Sequence, residues 1–271
     1  MLDRSAPRPD GVPVILMHGF GTTTHLLKNS AAVGIVEHLR ERGINAHAPY
    51  VVPYATIAER AGMWKTHLDE IVANSASDHA HLIGFSMGGL DARYLISVLG
   101  AHQNVATLTT VATPHHGSPL ASFVLSRPAL LKNLIVGSMN RVGTYAFTEA
   151  ASNAEAALHE LTPEYLDETF NPAVPDHESV TYYSYAARAG RGTGIRLNPT
   201  MFISNWVAYA KAGINDGFVP IESAKWAGYQ GIIDADHGEL IGLSYPGSTF
   251  DTHAFYARVA HLIGVEPEPV V

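Results

Sequence analysis

One stretch restricts the fold of this 271-residue chain more than any other: Ala80-His81-Leu82-Ile83-Gly84-Phe85-Ser86-Met87-Gly88-Gly89-Leu90-Asp91-Ala92-Arg93-Tyr94. A short apolar run stops at Gly84, a lone serine follows inside a Gly-x-Ser-x-Gly frame, and helical spacing (Leu90, Tyr94, Leu95, Val98) starts at once. Strand, sharp turn and helix in that order are the sequence mark of a nucleophile elbow. Gly84 and Gly88 let strand and helix approach closely, because neither brings a Cβ into the turn. Ser86 is then lifted out of the chain over the positive end of a helix. The same residues also describe an ordinary Gly/Ser turn, so the rest of the chain has to decide.

Upstream, the apolar run Val14-Ile15-Leu16-Met17 leads into His18-Gly19-Phe20-Gly21-Thr22-Thr23. A dinucleotide fingerprint needs a third glycine where Thr24 stands, so the loop fits better as the one that follows a strand and donates a backbone N–H to an oxyanion hole. Ala31 to Arg42 reads as a helix ended by Gly43, and Ile44 to Val52 as a second strand. Thr56 and Glu59 form a capping box ahead of Ile57, Ala61, Trp64, Leu68, Ile71 and Val72 at helical spacing. Downstream, Val105 to Val111 and Val180 to Ala186 are rich in β-branched and aromatic residues and read as strands. Met201 to Lys211 reads as a helix, and Thr252 to Ile263 as a terminal helix capped by Asp251 and ended by Gly264. The Gly190-x-Gly192-x-Gly194 loop lacks the Lys-Ser or Lys-Thr of a phosphate loop and is expected to be exposed and flexible. Alternating strands and helices indicate an α/β fold, a mostly parallel sheet with helices on both faces. The strand pattern stops between Ser118 and Pro175, which predicts a helical cap over residues 118–175 inserted into one domain spanning 1–271.

Composition narrows the partners. Hydrophobic residues make up 46% and charged residues 15%, enough to bury a large core. A formal charge of −8 with no basic cluster argues against nucleic acid. No stretch of about 18 apolar residues is present to span a bilayer. Met1 to Asp10 has no apolar signal core, so the default expectation is cytoplasmic, and a secreted mature form with its leader removed would read the same. There is no cysteine, hence no disulfide and no thiol nucleophile.

A serine hydroxyl needs an imidazole to take its proton and a carboxylate to fix that imidazole's tautomer. With the order Ser, acid, His, the candidates are Ser86, Asp216 and His237. Asp216 sits in a turn with Asn215 and Gly217, and His237 comes 21 residues later, beyond an apolar segment able to form the last strand. Asp234 and Asp236 compete as acid but share the loop of His237. His253 and His261 compete as base but fall in the terminal helix. The oxyanion hole is expected from the backbone N–H groups of Phe20 and Met87. Two other readings stand beside this one: a non-catalytic ligand-binding member of the same fold, and a metal hydrolase built on His79-x-His81 or His115-His116, for which further ligands are not nearby in sequence.

Taken together, His18-Gly19-Phe20, Gly84-Phe85-Ser86-Met87-Gly88-Gly89, Ala112-Thr113-Pro114-His115-His116-Gly117-Ser118, Leu161-Thr162 to Phe170-Asn171, Tyr182-Tyr183-Ser184-Tyr185, Asn215-Asp216-Gly217-Phe218-Val219 and His237-Gly238-Glu239-Leu240 resemble the bacterial true lipases (lipase family I) of the α/β-hydrolase fold. That resemblance implies hydrolysis of triacylglycerol or another carboxylic ester through an acyl-enzyme on Ser86, with no cofactor needed for the chemistry. It also implies a mobile lid from roughly residues 118–160 that meets a lipid–water interface. Phe85 stands where the family usually has His, Met87 where Gln is common, and His116 where Arg is usual. The family's structural calcium uses two acidic side chains; Glu239 can replace one, and near the other only Asn198 is available.

Overall fold

The computed structural model describes residues 11–22, 31–147 and 150–265. Six strands form one sheet in the order β2-β1-β3-β4-β5-β6, and every neighbouring pair is parallel. The strands are β1 (Val14–Met17), β2 (Ala46–His47), β3 (Ala80–Phe85), β4 (Val105–Val111), β5 (Thr181–Arg188) and β6 (Tyr229–Asp234). All residues of β1 and β3 are buried, as expected of central parallel strands covered on both faces, which read as unbroken apolar runs rather than alternating ones.

The helices divide between the two faces. Helix α1 (Ala31–Glu41) and the terminal α8 (Thr252–Leu262) pack on one face, where Ile35, Leu39, Phe255 and Val259 meet Val14, Leu16 and Ile83. On the other face, α2 (Ile57–Ala73) and the elbow helix α3 (Met87–Ser97) bring Trp64, Leu68 and Leu95 against Ile15, Met17 and Leu82. The capping box forms at α2: Thr56 Oγ1 accepts from Glu59 N–H, and Glu59 accepts from Thr56 N–H. Asp251 caps α8 by accepting from Ala254 N–H. Between β4 and β5 the chain is helical: α4 (Pro119–Leu125), α5 (Ala129–Ala146), α6 (Ala154–Glu160) and short turns from Pro163 to Ala173. A third apolar cluster joins α4, α5 and α6 to Leu90 and Met87 of α3. Helix α7 (Phe202–Ala212) follows β5.

Two expectations are corrected. The second strand, expected over Ile44 to Val52, shrinks to Ala46–His47, because Pro49 and Pro53 cannot donate to a ladder; Val51 and Val52 are buried in a loop instead. The glycine loop 190–194 is largely exposed but held: Gly190 N–H donates to Ile195 O, and Arg191 N–H to the buried Asn205 side chain of α7.

Candidate active site

Ser86 lies between β3 and α3 with φ 53° and ψ −130°, a conformation L-residues other than glycine avoid. Two close approaches hold it there. A Cβ on Gly88 would sit 2.2 Å from Met17 O, and one on Gly19 would sit 2.6 Å from Ser86 Cβ. Only glycine lets the elbow helix and the loop after β1 meet at this distance. The serine thus stands at the carboxyl end of β3, next to β1, where ligands of open parallel sheets bind.

Asp216 and His237, distant in sequence, are in direct contact. His237 Nδ1–H donates to Asp216 Oδ2 at 2.6 Å, and His237 N–H donates to Asp216 O at 2.9 Å. The other carboxylate oxygen, Oδ1, accepts from Phe218 N–H at 2.9 Å and Val219 N–H at 2.8 Å. Three donors reach this fully buried carboxylate, and its contact at Nδ1 places the imidazole proton there. Nε2 is then the free acceptor. The ring packs against Phe85 at 4.6 Å and Phe218 at 5.3 Å between centroids. Asp234 pairs with Arg188, and Asp236 closes the turn before Glu239, so neither competitor reaches the imidazole. His253 stacks on His38.

Ser86 and His237 line one cavity of about 550 Å³, although Ser86 Oγ is not hydrogen-bonded to the ring. Such contacts are often long before substrate arrives. The walls are apolar: Leu120, Phe123 and Val124 from α4, Met139 from α5, and Ile203 and Val207 from α7, with Phe20 beside the serine. No backbone hydrogen-bond acceptor takes the N–H of Phe20 or of Met87 among the described residues. Thr23 and Thr24 lie outside the described residues.

The loop carrying Phe20 is held from below by residues whose part was not read from the sequence. Arg60 is fully buried and donates to His18 O and Val52 O, each at 2.6 Å, and to Asp91 Oδ2 of the elbow helix at 2.8 Å. Trp64 Nε1–H donates to the same carboxylate oxygen. His18 donates from Nδ1 to Gly19 O and accepts at Nε2 from Val51 N–H; burial, with Arg60 nearby, lowers its pKa to about 3 and keeps it neutral. Burial pushes the Asp91 carboxyl up to about 6, against the pull of Arg60. A signal was present: Arg60 falls on the apolar stripe of Ile57, Ala61 and Trp64, where a charge needs a partner.

Three of the remaining candidates have partners elsewhere. His81 Nδ1 pairs with Thr107 Oγ1, buried His115 with Thr110 and Arg93, and His116 with Asp167. No group of three metal-ligating side chains occurs among the described residues. The calcium position does not fit a cation. Asp236 accepts from Gly238, Glu239 and Asn198 N–H. Glu239 accepts from Asp236 N–H and Ser248 Oγ, while Asn198 Oδ1 accepts from Thr200 N–H. Their oxygens close turns.

A doubly covered parallel sheet with this elbow defines an α/β-hydrolase. Residues 13–163 match the palmitoyl protein thioesterase family, and the chain belongs to that family. Triacylglycerol lipase 2 of Saccharomyces cerevisiae is 31% identical over 230 residues, which is 80% of this chain and 64% of that protein. A triacylglycerol lipase of Pseudarthrobacter phenanthrenivorans is 30% identical over 161 residues, 55% of this chain and 50% of that one. The chain therefore spans between half and just under two thirds of the length of these relatives. The mature form of the Bacillus licheniformis lipase BlEst2 superposes with a TM-score of 0.69 at 20% identity, covering 96% of this chain and 94% of that one.

Proposed function

We propose that the protein is a serine-dependent carboxylic ester hydrolase, a triacylglycerol lipase or esterase. Ser86 Oγ attacks the ester carbonyl carbon, and His237 Nε2 takes the hydroxyl proton. Asp216 keeps the imidazole in the right tautomer and stabilises the cation that forms. The carbonyl oxygen, now an oxyanion, accepts from the N–H groups of Phe20 and Met87; one such donor is worth about 3 kcal/mol in the transition state. The imidazolium passes its proton to the leaving alkoxide, which departs as the alcohol and leaves an acyl-enzyme. Water then attacks the acyl carbon with His237 as base, releasing the carboxylic acid and restoring Ser86. No cofactor enters these steps.

The observation that carries this reading is the 2.6 Å contact of His237 with Asp216 at the cavity that also holds the strained Ser86. A non-catalytic binding protein has no need of that strain. The apolar walls suit the acyl part of an acylglycerol, with helices from about 118–160 acting as a lid that opens at a lipid–water interface. The family match favours a second substrate form for the same chemistry, a long-chain acyl thioester, since the attack and the acyl-enzyme are shared. The test is turnover of p-nitrophenyl esters from acetate to oleate, below and above their solubility limits, beside the matching thioesters. Ser86→Ala must abolish all of it while the fold persists; retained turnover refutes the nucleophile.

A further inference from the structure

We propose that Asp236 and Glu239 are positioning residues: their side chains clamp the backbone on either side of His237 and so hold its imidazole at Asp216, a hold that needs no cation. The proposal rests on the hydrolase reading, in which that imidazole is the base. His237 lies in the loop between β6 and α8, outside any strand and just ahead of a short 3₁₀ turn over Glu239–Ile241. No ladder fixes its backbone there, so the N–H groups around it must find other partners. Each of the four from 236 to 239 does. Asp236 N–H donates to Glu239 Oε2 at 2.8 Å, and His237 N–H to Asp216 O at 2.9 Å. Gly238 N–H and Glu239 N–H donate to Asp236 Oδ1 at 2.9 Å and 3.0 Å. Asp236 and Glu239 therefore answer each other across His237 in the reciprocal pattern of a capping box.

Two further segments anchor the clamp. Asp236 Oδ2 accepts from Asn198 N–H at 2.8 Å, shortly before the α7 helix that walls the cavity, and Glu239 Oε1 accepts from Ser248 Oγ–H. Thr252 Oγ1–H, at the start of α8, donates to Glu239 O at 2.9 Å. Both carboxyl groups are buried, 0% exposed at Asp236 and 4% at Glu239, and together they meet five donors, the compensation that such burial requires. A cation would tie these segments from outside; here the chain's own hydrogen bonds tie them. The hold matters for reaction because a misplacement of about 1 Å costs roughly a hundredfold in rate. The N–H groups of both neighbours of His237 end on these two side chains, so their loss moves the ring before it moves the sheet.

The test compares amide and alanine variants in p-nitrophenyl acetate hydrolysis, at a temperature where circular dichroism shows each fold intact. Glu239→Ala strands Asp236 N–H, and kcat should fall roughly a hundredfold with KM unchanged. Glu239→Gln should restore kcat, since its amide oxygen can accept from Asp236 N–H while its NH2 group donates to Ser248 Oγ. Asp236→Asn should not be tolerated in the same way: whichever way the amide lies, its NH2 group faces a backbone N–H, and kcat should fall as in Glu239→Ala. Should both damaging variants fail to fold, Ser248→Ala removes only the outer anchor and should lower kcat about fivefold at unchanged KM. Added to His237→Ala, Asp236→Asn should lower the residual rate no further, because the two act through one group. In proton NMR the Nδ1–H shared with Asp216 should give a low-field resonance that Glu239→Gln keeps and Asp236→Asn loses to exchange. Parent-level kcat in Asp236→Asn and Ser248→Ala, equal losses in the two amide variants, a further fall in the His237→Ala background, a resonance that behaves alike in both amides, or turnover that a calcium chelator removes would each overturn the proposal. If the parent protein failed to hydrolyse p-nitrophenyl acetate, the hydrolase reading would fall while the resonance would still decide whether the clamp holds the imidazole.

Discussion

At the scale of single residues, the proposed chemistry depends on a hydroxyl to which two side chains distant in sequence would give its reactivity. Asp216→Asn keeps the shape of the contact but lets the imidazole adopt the wrong tautomer, and kcat for a soluble ester should fall by roughly 10⁴ with little change in fold. Steady-state kinetics with circular dichroism check both halves of that expectation. The sequence pointed to Ser86, Asp216 and His237 through the residue types and order the proposed chemistry needs, and the last two meet beside the cavity that the first also lines. Selecting Asp216 over Asp234 and Asp236 needed only the observation that a strand must separate acid from base. The part played by Phe85 was not legible: its ring packs on His237, a contact between the end of β3 and the loop after β6 that no local pattern encodes.

Elements are where sequence reading met its limits. The apolar run of β3, the β-branched run of β4 and the capping box of α2 each carry their own signal, and the structure places them where those signals fall. Strand β2 failed because Pro49 and Pro53 remove ladder donors that apolar side chains alone cannot replace. The hold on the loop after β1 by Arg60 and Asp91 was hidden for a different reason: it joins that loop to α2 and the elbow helix, three segments related only by the fold. Truncating one partner of such a buried pair leaves the other charge uncompensated. Arg60→Met should therefore cost about 3–5 kcal/mol in urea unfolding, with the loss growing as pH rises and the carboxylate at 91 ionises. At the elbow, Gly88→Ala drives a Cβ into Met17 O, and about 3 kcal/mol of stability should go with it.

Across the whole molecule, buried titratable groups set the response to acid. His18 is neutral in the fold with a pKa of about 3, and burial, with Arg93 beside it, holds His115 well below its ordinary value. The unfolded chain protonates both below pH 6.5, so their contribution is fully present above that value and is lost as pH falls toward the folded pKa. Asp91 acts oppositely: raised to about 6, it favours the fold below its unfolded value of 3.8 and loses that contribution as pH rises through 6. Two histidines outweigh one carboxyl, and stability should decline from pH 6 toward pH 4. His18→Gln should flatten that slope by about 1.4 kcal/mol per pH unit, as read from urea titrations at several pH values. A calcium chelator should leave the melting temperature unchanged, since the oxygens of Asp236, Glu239 and Asn198 already serve backbone and hydroxyl donors; a fall of several degrees would return calcium to the structure.

The most direct measurement is covalent capture with an organophosphonate ester, followed by mass spectrometry of the labelled peptides. A single adduct on Ser86, formed rapidly by the parent protein and lost in His237→Ala, is the predicted result. No adduct, an adduct on another residue, or labelling that proceeds undiminished without the imidazole would contradict a serine activated by His237.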